Sequence, residues 1–237
     1  MAHRPTIAFD LDGTLVDSAP DLLATLNVVL GEAGFGPIKA EDARGMFGAG
    51  ARVLIERGLS LHGAQMTAIE IDWLFERFLA YYDVHIADHS RPFPGAKTML
   101  EELSATGTGL VVCTNKLERF AVKLLGEMGL AHYFSVVAGA DTFAVRKPDP
   151  LHILHAVKRA GGEPARTVMI GDSRTDVAAA RAARVPVVVV SYGYTDVPAT
   201  ELGADRVIDR LAEVPTAVAA LLDGQATERL TASRTHP

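Results

Sequence analysis

A run of apolar residues that leads into two closely spaced carboxylates constrains this chain more than any other stretch. The run of residues 6–9 is short and rich in β-branched and aromatic residues, which is typical of a buried strand rather than of a core helix. Asp10 and Asp12 follow at once, and Gly13 with Thr14 lets the chain turn sharply. Because ligands bind beyond the carboxyl ends of strands in open α/β sheets, we expect both acids at a ligand site.

Strand and helix patterns alternate along most of the chain, and this alternation predicts a parallel sheet with right-handed crossovers. The fold class that we predict is α/β, a doubly wound parallel sheet. Helical patterns fill the intervals, and some start at a residue that can cap a helix, such as Asn115 or Asp149. The strands predicted after the first are apolar runs at residues 110–114, 135–138, 167–170, 187–190 and 206–208.

One helical segment interrupts the alternation directly after the first strand. Ser18 and Asp21 have the spacing of a capping box that would begin a helix. Helical patterns follow at residues 40–46, 51–59 and 67–84, and none shows strand alternation. We therefore predict three parts, which are an α/β core of residues 1–17 and 92–223, a small helical cap of residues 18–91, and a frayed polar tail of residues 224–237.

The composition argues against several partners and environments. The 237 residues carry a net charge of −6 and a pI near 5.7, which argues against nucleic acid or an anionic membrane as the main partner. The single cysteine, Cys113, excludes an internal disulfide framework. The sequence contains neither an apolar signal region nor an apolar run long enough for a membrane span, so the expected location is the cytoplasm.

Polar residues also follow later strands, where the topology brings them near the first pair of acids. Thr114 ends the second strand, Asn115 follows it directly, and Lys147 precedes a proline-rich helix start. Asp172 and Asp176 follow the fourth strand. Each has an ordinary structural interpretation, such as a solvated lysine or acids that complement a helix dipole. Their occurrence together, in an order that suits one edge of the sheet, favours a common site.

These strings resemble the four motifs of the phosphatase branch of the haloacid dehalogenase superfamily. The resemblance implies that Asp10 is the nucleophile of a phosphoryl transfer and that Asp12 is its general acid and base. It also implies that Thr114, Asn115 and Lys147 bind the phosphoryl group. The matching strings lie at residues 10–18, 113–116, 147–150 and 171–176.

The same resemblance implies a Mg²⁺ site formed by Asp10, Asp12 and Asp172, with Asp176 as a further ligand. Asp12 would contribute through its backbone carbonyl. Electrostatics supports a cation, because each pair of carboxylates about 4 Å apart costs roughly 4 kcal/mol at an effective dielectric constant near 20. A hard divalent ion that takes carboxylate, water and phosphate oxygens as ligands would remove this repulsion.

Shorter strings at residues 17–22, 48–52 and 191–194 resemble the phosphoglycolate phosphatases within the superfamily. This resemblance implies a small phosphorylated metabolite as the partner, and 2-phosphoglycolate in particular. Arg44 and Arg52 in the predicted cap are candidates for pairing with its carboxylate. The alternatives are a phosphatase for another small substrate, a pyrophosphatase or a sugar phosphomutase of the same superfamily, and, from another class, a non-catalytic binding domain.

Overall fold

A six-stranded parallel sheet lies at the centre of the structure, a computed structural model that describes residues 4–43 and 45–232, with side chains as far as residue 223. In chain order the strands are β1 (Thr6–Phe9), β2 (Val16–Asp17), β3 (Arg91–Pro92), β4 (Gly109–Cys113), β5 (Val136–Ala138), β6 (Thr167–Gly171), β7 (Val187–Val190) and β8 (Arg206–Ile208). The helices are α1 (Ala19–Glu32), α2 (Ala51–Leu61), α3 (Ala68–Val84), α4 (Ala96–Ala105), α5 (Glu118–Glu127), α6 (Pro150–Arg159), α7 (Arg174–Ala182) and α8 (Val214–Ala232).

The strand order of the large sheet is β5-β4-β1-β6-β7-β8, so the chain winds outward in one direction and then returns to wind in the other. This order confirms the predicted doubly wound α/β fold, with β1 between β4 and β6. Phe9 pairs with Val112 on one side and with Ile170 on the other. The residues that follow these three strands therefore meet at the same edge, at the switch in strand order where such sheets bind ligands.

Continuous burial explains why the strand predictions succeeded. Every residue of β1, β6 and β7 is buried, as expected for parallel strands covered by helices on both faces. Their β-branched runs are recognisable without any knowledge of their neighbours. All six predicted strands are present.

The segment predicted as the cap, residues 18–91, is called the helical insertion below, and it contains α1, α2 and α3. The helix predicted at residues 67–84 is confirmed, and Thr67 with Glu70 forms its capping box. The helix predicted at residues 40–46 is wrong, because the described part of that stretch forms turns. Gly45 adopts a positive φ of 73°, which an α-helix cannot contain. Arg44 lies outside the described residues.

A short antiparallel pair, which the sequence did not predict, joins the two ends of the helical insertion. Val16 pairs with Pro92 and Asp17 pairs with Arg91, so β2 and β3 lie side by side. Each strand has only two residues, too few for an alternating pattern. The chain therefore leaves and re-enters the α/β part at neighbouring points.

The capping box predicted from Ser18 and Asp21 is wrong, although α1 does begin there. Ser18 makes no capping hydrogen bond, and its Oγ donates to Oδ1 of Asp12 instead. The Asp21 carboxylate accepts from the backbone nitrogens of His89 and Ser90, at 3.0 and 2.7 Å. These contacts replace the predicted capping bonds, and they connect the start of α1 to the residues after β1 and to the end of the helical insertion.

The final helix, α8, is longer than the sequence indicated. A frayed tail was predicted from Gly224 onward, whereas the helical backbone continues through Ala232. A glycine inside a helix costs only about 1 kcal/mol relative to alanine, and alanine, leucine, glutamine and glutamate in the stretch after it are good helix formers. Residues 233–237 lie outside the described part of the chain.

No described helix combines the length and the hydrophobicity needed to cross a lipid bilayer.

Candidate active site

Asp10 lies at the centre of the sheet edge, directly after β1, and is 2% exposed. Its backbone nitrogen donates to the carbonyl oxygen of Ile170 at 2.8 Å, which continues the strand pairing and fixes the residue in place. Oδ1 accepts from the backbone nitrogen of Leu11 at 2.7 Å and lies 3.0 Å from Nζ of Lys147. The side chain is thus held rigidly, with a cation at hydrogen-bonding distance.

Asp172 and Asp176 join Asp10 in one buried group of acids. One carboxylate oxygen from each of the three lies within 4.8 Å of the others. Asp172 follows β6 and accepts from Oγ1 of Thr14 at 3.2 Å. Asp176, in the first turn of α7, accepts from Nζ of Lys147 at 2.6 Å. Asp10, Asp172, Asp176 and Lys147, which belong to three motifs predicted separately, thus meet at one place.

The charges of this group do not balance. Burial, followed by the charge of Asp176, raises the pKa of Asp10 from 3.8 to about 7, although Lys147 opposes the change. Burial and the neighbouring acids also raise the pKa of Asp172 well above its ordinary value. Three carboxylates against one ammonium leave two negative charges when all are ionised. A divalent cation with oxygen ligands matches both this charge and this donor set.

Asp12 has a different environment from the other three acids. Lys116 Nζ donates to both of its carboxylate oxygens, at 2.8 and 3.0 Å. Ser18 Oγ also donates to Oδ1. The Asp12 carboxylate therefore lies outside the group of Asp10, Asp172 and Asp176. The metal contact predicted for Asp12 was through its backbone carbonyl, and it stays a prediction. The carboxylate instead faces the cavity described below.

Thr114 and Asn115 follow β4 and border the same cavity. Asn115 does not cap α5 as predicted, because the N-cap position is Leu117. Its Nδ2 donates to the carbonyl oxygens of Gly48 at 3.3 Å and Lys147 at 3.1 Å. Its Oδ1 is buried and has no hydrogen-bond partner among the described residues. Asn115 therefore joins the phosphate-binding candidates to the loop that precedes α2.

A cavity of about 150 Å³ lies between the sheet edge and the helical insertion. Asp10, Asp12, Thr114, Asn115 and Lys116 form its polar end. Its opposite wall is apolar and is contributed mainly by the helical insertion, through Leu22, Phe47, Leu54, Phe75, Phe78 and Leu79. The space admits a small molecule with one strongly polar end.

Of the two arginines predicted to pair with a substrate carboxylate, the structure describes only Arg52. Arg52 does border the cavity, but its Nη1 lies 2.6 Å from Oδ1 of Asp72, and its side chain is 38% exposed. Arg44 lies outside the described residues, so the structure gives it no position. To bind a ligand, the Arg52 guanidinium would have to break its ion pair with Asp72 or contact both partners at once.

The Asp172 side chain occupies space that is open because Gly13 and Gly193 have no Cβ atom. Its Oδ2 is held by a hydrogen bond from the backbone of Tyr194. A Cβ added at Gly13, where φ is +83°, or at Gly193 would collide with the Asp172 side chain. The backbone nitrogen of Tyr194 donates to Oδ2 of Asp172 at 2.7 Å, and its hydroxyl donates to Asp17 Oδ1 at 2.6 Å. The loop after β7 therefore positions an acid of the site and contacts the start of the helical insertion.

Sequence reasoning missed Lys116 and Tyr82 as members of the site. Lys116 was only the last residue of a motif string, and Tyr82 was read as part of the apolar face of a helix. The structure places Lys116 Nζ 4.7 Å from the centre of the Tyr82 ring, with both residues bordering the cavity. The position of Lys116, two residues beyond a strand end, was the one available signal.

The chain belongs to the haloacid dehalogenase-like hydrolase family, whose profile matches residues 7–190. This membership confirms the resemblance carried by the four motifs. The chain is 46% identical to the phosphoglycolate phosphatase of Agrobacterium fabrum over 214 residues, which cover 90% of this chain and 92% of that protein. It is 48% identical to the phosphoglycolate phosphatase of Caulobacter vibrioides over 217 residues, or 92% of each chain.

Solved structures resemble the fold closely. The crystal structure of a predicted phosphoglycolate phosphatase from Haemophilus somnus aligns with a TM-score of 0.84 at 31% identity, over 92% of this chain and 99% of that chain. A putative phosphoglycolate phosphatase from Lactobacillus delbrueckii aligns with a TM-score of 0.83 at 28% identity. Both alignments extend across the helical insertion as well as the sheet.

Proposed function

We propose that this protein is a Mg²⁺-dependent phosphatase that hydrolyses 2-phosphoglycolate to glycolate and phosphate. The observation that carries the proposal is the meeting of Asp10, Lys147, Asp172 and Asp176 in one buried group, of which Asp10 borders a small cavity. The names of the similar proteins point to the same reaction. A non-catalytic binding domain would gain nothing from a buried cluster of acids that repel one another.

In the proposed reaction Asp10 attacks phosphorus in line with the leaving oxygen. A bond forms between its carboxylate oxygen and phosphorus, the bond from phosphorus to the leaving oxygen breaks, and an aspartyl phosphate results. Asp12 gives its proton to the leaving oxygen, which departs as an alcohol. Asp12 then takes a proton from water, whose oxygen bonds to phosphorus while the bond between phosphorus and the Asp10 oxygen breaks. Inorganic phosphate is released and the Asp10 carboxylate is restored.

Lys147, Thr114 and Asn115 would bind the phosphoryl oxygens during both steps. Lys147 already contacts Asp10 at 3.0 Å, so a phosphoryl group on that oxygen would lie beside its ammonium. Thr114 follows the neighbouring strand β4 and offers its hydroxyl in the same cavity. These groups are in place before substrate arrives, which keeps the reorganisation that accompanies charge transfer small.

Asp10, Asp172 and Asp176 would hold the Mg²⁺. Their fit rests on the two uncompensated negative charges and on a donor set made only of carboxylate oxygens. When bound, the ion supplies positive charge that lets an anionic phosphate approach an anionic nucleophile. The backbone nitrogen of Tyr194 and the hydroxyl of Thr14 keep Asp172 oriented for this role.

The shape of the cavity supports a small leaving group. About 150 Å³ of space, closed on one side by apolar side chains of the helical insertion, suits a leaving group of a few atoms better than a nucleotide or a phosphoprotein. We propose that the helical insertion acts as a cap over an α/β core of residues 1–17 and 92–223. The acidic surface charge agrees with a cytoplasmic protein that acts on a metabolite rather than on nucleic acid.

A phosphate-release assay over a panel of small esters tests the proposal. The panel contains 2-phosphoglycolate, glucose phosphates, pyrophosphate and nucleotides, each with and without Mg²⁺. We expect the highest kcat/KM for 2-phosphoglycolate. A value about tenfold higher for another compound, ~1.4 kcal/mol of transition-state preference, would contradict the substrate but not the phosphatase assignment. Absence of release from every ester would contradict both.

A further inference from the structure

We infer that Lys116, together with the hydroxyl of Tyr82, recognises the carboxylate of the substrate and thereby determines specificity. This inference rests on the proposed function, because it concerns the part of the substrate that leaves. It assigns a role to two residues of which neither was predicted as a site residue.

Lys116 is a buried cation that faces an otherwise apolar wall. Its side chain is 4% exposed, and Nζ donates to both carboxylate oxygens of Asp12. An ammonium has three N–H donors, so these two bonds leave capacity for one more acceptor. The residue borders the cavity, and the ring of Tyr82 lies against Nζ at 4.7 Å. Lys116 can therefore bind a second anion that enters the cavity without losing its hydrogen bonds to Asp12.

Tyr82 supplies a second donor at the same position. The residue is 1% exposed, and its hydroxyl is buried without a hydrogen-bond partner among the described residues. A buried hydroxyl without a partner is unfavourable, so a ligand that accepts a hydrogen bond from it would remove a penalty already present in the protein. Tyr82 belongs to α3 and Lys116 follows β4, so a carboxylate bound by both would join the helical insertion to the sheet edge.

The short distance between the leaving oxygen and the carboxylate of 2-phosphoglycolate favours Lys116 over the arginines as the partner of that carboxylate. If Asp12 protonates the leaving oxygen, that oxygen lies within about 3 Å of its carboxylate. In 2-phosphoglycolate the carboxyl carbon is two bonds, each of about 1.5 Å, from that oxygen. The cation that meets the carboxylate must therefore lie beside Asp12. Lys116 does so at 2.8 Å, whereas Arg52 is already paired with Asp72.

Burial increases the effect of this pairing on specificity. An unpaired carboxylate against Leu54, Phe75 and Phe78 would lose its hydration without compensation, which is strongly unfavourable. A charge-assisted bond to Lys116 compensates the loss only for esters whose leaving group carries an anion close to the phosphate. An uncharged ester of the same length would fill the space but would leave Tyr82 and the third donor of Lys116 unpaired.

The test compares 2-phosphoglycolate with ethyl phosphate, an ester of similar length without the carboxylate. The measured quantity is the ratio of their kcat/KM values, in wild type and in Lys116→Met, Tyr82→Phe and Lys123→Met. Lys123 is a matched control, because it also pairs with an aspartate, Asp83 at 2.8 Å, but on the exposed surface. We expect the ratio to fall at least about tenfold in Lys116→Met, which corresponds to ~1.4 kcal/mol.

The other two variants test the contribution of the Tyr82 hydroxyl and the specificity of the effect for Lys116. Tyr82→Phe removes a single hydroxyl that has no protein partner, so it should fold, and we expect a fall of the ratio of about threefold, ~0.65 kcal/mol. Lys123→Met should leave the ratio at the wild-type value. A Lys116→Met protein that loses activity on both esters equally would show that the lysine only positions Asp12, and would overturn the inference.

Three further outcomes distinguish a failure of this inference from a failure of the proposed function. A ratio that collapses in Arg52→Met but not in Lys116→Met or Tyr82→Phe would assign the carboxylate to the arginine. If Lys116→Met does not fold, an unchanged ratio in Tyr82→Phe overturns the inference by itself. A wild type without preference for 2-phosphoglycolate over ethyl phosphate would overturn the substrate assignment as well.

Discussion

The ammonium nitrogen of Lys147 lies 3.0 Å from Oδ1 of Asp10, and both side chains are buried. The same nitrogen lies 2.6 Å from Oδ1 of Asp176. One cation therefore contacts two acids, and Asp172 has no cation of its own among its described hydrogen bonds. Three ionised carboxylates beside one ammonium leave two negative charges uncompensated in this group, which is electrostatically unfavourable.

Replacement of the nucleophile should separate activity from stability. Asp10→Asn keeps the size of the side chain but removes the attacking charge, so we expect kcat to fall by several orders of magnitude. The same change removes one carboxylate from a buried group of like charges, so the chelated variant should melt at a higher temperature than chelated wild type. Phosphate release and circular dichroism measure the two effects. Near-normal turnover in a folded variant would exclude the covalent mechanism.

Removal of the metal should abolish activity without unfolding the protein. We expect chelator to stop phosphate release and Mg²⁺ to restore it, because the two uncompensated charges otherwise repel the substrate. Saturating Mg²⁺ should also raise the melting temperature, since a ligand present at 100 times its Kd adds about 2.7 kcal/mol to the unfolding free energy. Ca²⁺ should raise the melting temperature but not support turnover, because its looser coordination misplaces the nucleophile. Full activity in excess chelator would refute the charge argument.

A single methyl group beside Asp172 should weaken the metal site. In Gly193→Ala the new Cβ would collide with the Asp172 side chain, so that carboxylate must move. We expect the Kd for Mg²⁺, measured by calorimetry, to rise at least about tenfold, or ~1.4 kcal/mol. Gly126→Ala is the control, because a Cβ there meets nothing within 4 Å and the position is helical. The control should bind Mg²⁺ as wild type does, and equal binding by both variants would contradict the role given to this loop.

A buried histidine away from the metal site should make stability depend on pH. Burial lowers the pKa of His152 from 6.5 to about 4, with a further contribution from Lys147, although the 3.0 Å contact between Nε2 and the Gly139 carbonyl opposes the change. The unfolded chain then binds the proton more readily than the folded protein. Stability contributed by the neutral ring is therefore present above pH 6.5 and is lost as pH falls toward 4, by roughly 3 kcal/mol at most.

Urea unfolding at pH 7.5 and at pH 4.5 measures this loss. His152→Phe removes the titrating group and one of two contacts of the Gly139 carbonyl, which still accepts from the backbone nitrogen of Thr142 at 3.2 Å. Its stability should therefore be lower at both pH values but should change less between them. The exposed His155, whose ring lies 5.3 Å from that of Phe143, is the control. His155→Phe should keep the pH dependence of wild type. Equal pH dependence in both variants would show that His152 is not responsible.

Most of the sheet was predictable, because residues such as Val187–Val190 show in their own composition that they are buried on both faces. The acids and Lys147 were predictable as a set, since parallel topology brings strand ends to one edge. The roles of Ser18 and Asn115 were not predictable, because each side chain donates to a partner outside its helix start instead of capping it. These partners are Asp12, six residues before Ser18, and the Lys147 carbonyl, 32 residues after Asn115. Lys116 could not be assigned either, since its contact with Tyr82 depends on how the helical insertion packs on the sheet.

The pairing of β2 with β3 has a consequence for how this enzyme family can diversify. Val16 opposite Pro92 and Asp17 opposite Arg91 place the exit and the return of the chain next to each other. A long excursion between adjacent points adds only a slowly growing closure entropy, so its length and content can change with little effect on the sheet. The helical insertion can therefore change in evolution, through insertions, deletions and point changes between residues 18 and 91, while the residues at the sheet edge stay in place.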